Sequence, residues 1–235
     1  MTRSDPIPAL KCQLGTELAA LLEGWNAADV AARRLAPPQS PSVGFRMPAA
    51  NARRYVTSDE FLTHAAAAGP SELVRGEIRV MTPASGAHGV IAGTIFAAIN
   101  AFVESRQLGQ CFPDNTGFLL PGLGDTVRSP DAAFVRRDDL PDLGIGLGWM
   151  TVAPDLVVEI LSSSETASEL EEKVRDYRAA GTRLIWVVDP TARVVSVRAA
   201  GAPDARLTEG DVLDGRDVLP GFTIPVARLF ARLAK

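Results

Sequence analysis

The stretch Pro154-Asp155-Leu156-Val157-Val158-Glu159-Ile160-Leu161 decides how this chain folds. From Asp155 onward it is a continuous apolar run broken only by Glu159, the pattern of a strand buried at the centre of a sheet. After it, Ser164 or Thr166 caps a helix that reaches Ala180. Thr166-x-x-Glu169 matches a capping box, and Gly181 stands where a helix commonly ends in the left-handed region. Residues 183–188 and 193–197 read as two more strands, separated by the turn-forming Asp189-Pro190. This order predicts an α/β protein with a mixed central sheet flanked by helices.

Working upstream, short strands are expected near 116–121 and 131–135, followed by a glycine-rich polar loop at 137–150. Ile91, Ile95, Ile99 and Phe102 recur at helical spacing and predict a long helix over 86–106 packed on the sheet, with His88 in its first turn. Alternation about Arg75-Gly76 predicts a hairpin, and Thr57-Ser58-Asp59-Glu60-Phe61-Leu62 a short capped helix. Residues 1–50 differ in character. Leu18, Leu21, Leu22 and Trp25 fall on one helical face behind Thr16, and Ala36-Pro37-Pro38-Gln39-Ser40-Pro41 reads as a linker. The expected organisation is an N-terminal helical extension over 1–50 and one domain over 51–235; the tail from Gly210 to Phe230 holds turns and a short terminal helix.

Composition narrows the function. The chain has 235 residues, 46% of them hydrophobic, enough for one good core plus an appendage. No stretch approaches the ~18 to 20 uncharged apolar residues of a membrane span, and the N-terminus lacks the apolar core of a signal peptide, so a cytoplasmic protein is expected. Cys12 and Cys111 form no CxxC pair and suggest neither a zinc knuckle nor a disulfide framework. A net charge of −4 argues against a diffuse basic surface that coats nucleic acid, so any contact with DNA has to be local. Lys11, Lys173 and Lys235 are the only lysines, which leaves Lys173 as the one lysine of the globular body. Where arginine supplies ordinary surface charge, a retained lysine points to a need for an ammonium.

Three residues then carry the chemical argument. An ionised Glu159 surrounded by Leu156, Val157, Val158, Ile160 and Leu161 is costly unless something answers its charge. A metal ion, a cationic partner or a strand-end position would each do so; a solvent-facing place on an edge strand is the plainer alternative. Asp131 follows Pro130 at the start of Ala132-Ala133-Phe134-Val135, where Pro-Asp is also common turn chemistry, and Pro154-Asp155 opens the next strand in the same way. Lys173 sits on the flank of the core-facing helical stripe, either reaching for Glu159 or pairing locally with Glu169, Asp176 or Tyr177. Two carboxylates and an ammonium at one sheet end are the parts of a phosphodiester hydrolase: hard oxygen ligands for Mg²⁺ or Mn²⁺, and a cation to orient water or stabilise phosphorane charge. A P-loop and a G-x-S-x-G elbow are absent, and two histidines cannot build a histidine-rich zinc site.

Glu72-Leu73-Val74-Arg75-Gly76-Glu77, Met81-Thr82-Pro83 with His88, Pro130-Asp131, the run from Pro154 to Ser162, Lys173, Tyr177, Gly181 and Trp186-Val187-Val188-Asp189-Pro190 occur in sequential order. Over residues 55–230 this ordered set resembles the Uma-two family of predicted restriction endonucleases, a branch of the PD-(D/E)XK superfamily. The resemblance implies a restriction-endonuclease-like core and a Mg²⁺- or Mn²⁺-dependent endonuclease acting on DNA, or on RNA; a homodimer is expected because cutting both strands is simplest with two sites. It implies Asp131 and Glu159 as metal ligands with Ile160 beside them, Glu72 as an early acidic residue helping to hold the metal, with Glu77 as its substitute, and His88 as a phosphate-side or supporting group. Leu161 stands where the ordinary motif has lysine, and Lys173 on the following helix takes that place. The alternative is a nuclease-fold protein with little or no catalysis that binds nucleic acid or regulates; the acidic pI of about 5.3 and Leu161 favour it.

Overall fold

The apolar run becomes β7, and what surrounds it positions the site. Numbered in chain order, the strands are β1 Ser71–Val74, β2 Glu77–Val80, β3 Gly109–Pro113, β4 Phe118–Leu119, β5 Val127–Arg128, β6 Ala132–Arg136, β7 Leu156–Ile160, β8 Leu184–Asp189, β9 Val194–Ala199, β10 Ala205–Leu207, β11 Val212–Asp214 and β12 Thr223–Pro225. The helices are α1 Ser58–Ala68, α2 Gly86–Arg106, α3 Ala167–Ala180 and α4 Val226–Phe230. The computed structural model describes residues 54–142, 145–162 and 165–234, without the side chains of 64–68. The expected helix of Leu18 to Trp25 and its linker lie outside the described residues.

A six-stranded mixed sheet has the order β10-β9-β8-β7-β6-β3, and its one parallel pair, β7 and β8, is joined by α3. β7 is therefore central and buried along its whole length, so the edge-strand alternative for Glu159 does not hold. Side chains alternate across the sheet. Leu156, Val158 and Ile160 meet α2 through Ile91, Ile95, Ile99 and Val103 on one face. On the other, Val157 packs with Leu170, Val174 and Tyr177 of α3. Glu159 shares the parity of Val157 and so points to α3. At roughly 1.5 to 3 kcal/mol for each fully buried large aliphatic side chain, these two interfaces hold the layers together.

Local chemistry sets the helix ends. Thr57 caps α1 and Thr166 caps α3, each in a complete capping box with Glu60 and Glu169, and Gly181 ends α3 at φ 108°. Ser85 caps α2 by accepting from the His88 N–H, which fixes His88 in the first turn.

The structure differs from the sequence expectations in three respects. The strand expected over 116–121 shrinks to Phe118–Leu119, because the chain turns at Gly122 and Gly124, both at positive φ. β3, β5 and β10 are not anticipated by the sequence, nor are β11 and β12 in a tail expected to hold only turns and a helix, because strands this short carry little alternation; β3, with Gly109 and Pro113 at its ends, is an edge strand where proline costs no ladder bond. Finally, α2 is long and apolar enough to cross a membrane by length and composition, contrary to the expectation that no stretch would be. Its isoleucine stripe instead packs on the sheet, while alanine, glycine and threonine fill much of the rest.

A second sheet, of order β2-β1-β5-β4, stands beside the first. It carries Glu72 on β1, Arg79 on β2 and Arg128 on β5. Cys111 is buried in β3, and burial pushes its thiol up to about 12, leaving it poorly reactive.

Candidate active site

The register of β6 and β7 brings the two key carboxylates to one place. Ala132 pairs with Val158 and Ala133 with Val157, so one further antiparallel step sets Asp131 opposite Glu159 at the same sheet end. Ile160 donates its main-chain N–H to Asp131 Oδ2 at 2.6 Å, and His88 Nε2 approaches the same oxygen at 3.2 Å. The other Pro-Asp dipeptide has a different fate. Asp155 accepts from the Arg136 N–H at 2.9 Å and pairs with the Arg136 side chain at 2.8 Å, before the first residue of β7, away from Glu159 at the far end.

Glu159 is 3% exposed and is answered by α3. Lys173 and Tyr177, one helical turn apart on one face, reach its two oxygens: Lys173 Nζ lies 3.3 Å from Oε2 and the Tyr177 hydroxyl donates to Oε1 at 2.7 Å. Lys173 also pairs with Glu165 at 3.2 Å, whereas the Glu169 carboxylate turns back to Thr166 in the capping box. Of the partners weighed for Lys173, the strand glutamate is realised and Glu169 is not.

Glu72 also reaches the cleft wall, but in other company. Its Oε2 accepts from Arg128 Nη1 at 2.8 Å and its Oε1 from the Ser129 N–H at 3.0 Å. Arg128, 1% exposed, bridges onward to Asp176 of α3 through Nε at 3.1 Å. Both Glu72 oxygens are thus engaged, one by a main-chain N–H and the other in a buried ion-pair chain that ties the small sheet to α3. Glu77 is on β2, and it is not among the residues that line the cleft.

A cleft of about 350 Å³ collects these groups, its wall including Glu72, Arg79, His88, Asp131, Glu159 and Lys173. Ile160 lines it too, and could serve a cation only through its main-chain carbonyl. Among the described residues no group of three or more His, Cys, Asp or Glu side chains forms a ready-made metal cluster. The donors that are present, two carboxylates and a carbonyl, are hard oxygens with no thiolate among them, a set that fits Mg²⁺ or Mn²⁺ better than zinc.

The ordered motifs, the βαβ unit and the cleft at its end have a counterpart among known proteins. A family model described as "Putative restriction endonuclease" matches residues 58–227. The chain belongs to this family, Uma2. Among solved structures, the crystal structure of a "putative nuclease belonging to DUF820" from Anabaena variabilis ATCC 29413 superposes with a TM-score of 0.64 at 21% identity, covering 75% of this chain and 98% of that one. At that identity the likeness concerns the fold, a restriction-endonuclease-like mixed sheet flanked by helices. No curated protein matches the chain.

In this Uma2 protein, sequence reasoning passed over Arg128 and Tyr177 as site residues. Tyr177 carried a signal, four residues after Lys173 on the same face; Arg128, in a two-residue strand, carried none.

Electrostatics give the site a pH signature. Burial drives the Glu159 carboxyl up to about 7, with Lys173 opposing and Asp131 and Glu72 adding to the rise. The hydrogen bond to Asp131 lifts His88 above its ordinary value, against burial. Burial alone would lower Lys173, but Glu159, Glu72 and Glu165 outweigh it and keep the ammonium charged. Glu159 and His88 both bind protons more tightly folded than unfolded, so their contribution is full below their ordinary values of 4.5 and 6.5 and is lost as pH rises through the folded ones. The metal-free protein is therefore expected to melt a few degrees lower at about pH 8 than at about pH 5. Melting in chelator across that range tests it, and a rising melting temperature refutes this account of Glu159.

Proposed function

We propose that this protein is a divalent-metal-dependent endonuclease that hydrolyses phosphodiester bonds of DNA, working in the cytoplasm as a homodimer. One observation carries the reading: Asp131, just before β6, Glu159 on β7 and Lys173 on α3 line one cleft, with Lys173 Nζ 3.3 Å from Glu159 Oε2. Asp131 and Glu159, with the Ile160 carbonyl, would hold Mg²⁺ or Mn²⁺. What such a cation supplies when bound is Lewis acidity toward the phosphate and the attacking water. The chain's own groups do the rest. Lys173 keeps its proton, so it acts as a fixed positive charge that steadies the growing charge on phosphate and orients water; it is not a general base. His88 holds Asp131, and Arg79, at the cleft rim and paired with Glu172, is placed to meet a phosphate of the same strand. Two copies are the simplest way to cut both strands of a duplex.

Charge favours a second reading, a nuclease-fold protein with little or no catalysis that regulates or binds nucleic acid through a surface other than this cleft. Glu72, Asp114, Asp131, Glu159, Glu165 and Glu169 line the cleft against Arg79, Arg128 and Lys173. Six carboxylates facing three strong cations repel phosphate until a metal ion neutralises them.

Plasmid nicking with Mg²⁺ or Mn²⁺, beside a chelator control, an RNA substrate and Asp131→Asn, separates the readings. The endonuclease reading expects nicking that needs the cation and falls at least about a hundredfold in Asp131→Asn. Nicking that persists unchanged in chelator sinks the metal mechanism. Binding without cleavage at any cation concentration selects the second reading.

A further inference from the structure

Glu159 has two oxygens and two protein partners, and the partner that does not line the cleft is the more informative. Tyr177 is 0% exposed and sits behind the cleft wall, packed with Leu170 and Val174 against β7 and β8. It therefore cannot touch a substrate. Its hydroxyl nevertheless donates to Glu159 Oε1 at 2.7 Å, while Lys173, one turn earlier on α3, meets Oε2 at 3.3 Å. A single rigid helix thus addresses both oxygens of one buried carboxylate from two fixed points.

We propose that Tyr177 is a positioning residue for the cleavage chemistry: by holding Oε1 it keeps Glu159 in one orientation and prevents the carboxylate from swinging wholly onto Lys173, so that Glu159 stays available to a divalent cation. This rests on the metal-dependent reading above. Without the phenol, a buried carboxylate oxygen loses its donor and the nearest remaining source of positive charge is the Lys173 ammonium. A carboxylate paired through both oxygens with that ammonium is a poorer ligand. The cation and the lysine then compete for Glu159 instead of sharing it. Partners that orient a metal ligand in this way typically change metal affinity or activity by about 10- to 100-fold when removed.

The test uses the full chain and Tyr177→Phe, which removes one oxygen and keeps the ring. Melting temperature, Mn²⁺ affinity by calorimetry and nicking as a function of Mn²⁺ concentration are measured on the same preparations. The expected result is a folded Tyr177→Phe protein whose Mn²⁺ affinity is about tenfold weaker and whose nicking recovers at high Mn²⁺, a rescue that a packing defect would not give. A second measurement covers the case in which Tyr177→Phe does not fold. The chain has two tyrosines, so the wild-type protein carrying 3-fluorotyrosine gives two ¹⁹F resonances, one from exposed Tyr55 and one from Tyr177. On titration with Mg²⁺, the Tyr177 resonance is expected to move and that of Tyr55 to stay. Unchanged Mn²⁺ affinity in folded Tyr177→Phe, or a Tyr177 resonance indifferent to a cation that does bind, overturns the positioning role and leaves the metal-dependent reading standing. Wild-type protein that binds no Mn²⁺ overturns that reading, and this inference with it.

Discussion

Lys173→Met is expected to lower metal-dependent nicking by roughly two orders of magnitude or more while leaving the protein folded, the scale seen when a group that stabilises transition-state charge is removed. The side chain is 15% exposed and flanks the core stripe of α3, so methionine replaces most of the packed stem and only the ammonium is lost. What remains around Glu159 is the Tyr177 hydroxyl, and a bound cation can supply the missing positive charge; Mn²⁺ affinity should therefore survive where cleavage does not. Lys173→Arg is expected to be impaired as well. A planar guanidinium cannot reproduce a compact ammonium between Glu159 and Glu165, only 3.3 and 3.2 Å from its nitrogen. Wild-type nicking rates in folded Lys173→Met would return this lysine to the role of a structural ion-pair partner.

Arg128→Met should produce the largest loss of stability of any single substitution considered, about 3 to 5 kcal/mol in urea denaturation. The guanidinium is 1% exposed and stands between Glu72 and Asp176, themselves 3% and 1% exposed. Removing it leaves Glu72 with only the Ser129 N–H and Asp176 with only the half-exposed Arg75, and each buried carboxylate loses charge-assisted hydrogen bonds that water is poorly placed to replace. Burial alone would pull Arg128 down, but its carboxylate neighbours, Glu72 foremost, hold it above the ordinary arginine value, in keeping with a permanently charged centre. Arg128→Lys is expected to rescue little, because one ammonium cannot present three nitrogens to Glu72 and Asp176 at once. The triple replacement Glu72→Gln, Arg128→Met, Asp176→Asn should recover part of the loss. A cost below about 1 kcal/mol for Arg128→Met would mean that water reaches the cluster and that it is no buried triad.

Lys173 and Arg128 differ in how far the sequence makes them visible. Lys173 stood out because it is the one lysine of the globular body, on a helix whose capping box and terminal glycine are local signals within a few residues of one another. Glu159 stood out because a charge in an apolar run violates the hydrophobic pattern. Such features are written in short stretches of chain, and they sufficed for the strand, helix and strand about Glu159, for the family, and for naming Asp131, Glu159 and Lys173 together. Periodicity, however, reports which face of an element is apolar and not which distant group meets a buried polar atom. Glu72 and Arg128 are 56 residues apart, and Arg128 and Asp176 are 48 apart. Only the register of the second sheet and the seating of α3 decide that Glu72 spends both oxygens on Arg128 and Ser129. The two Pro-Asp dipeptides are likewise indistinguishable as sequence. The antiparallel register of β6 and β7 brings Asp131 beside Glu159 and leaves Asp155 with Arg136 before the other end of β7, because antiparallel neighbours put the start of one strand against the end of the next.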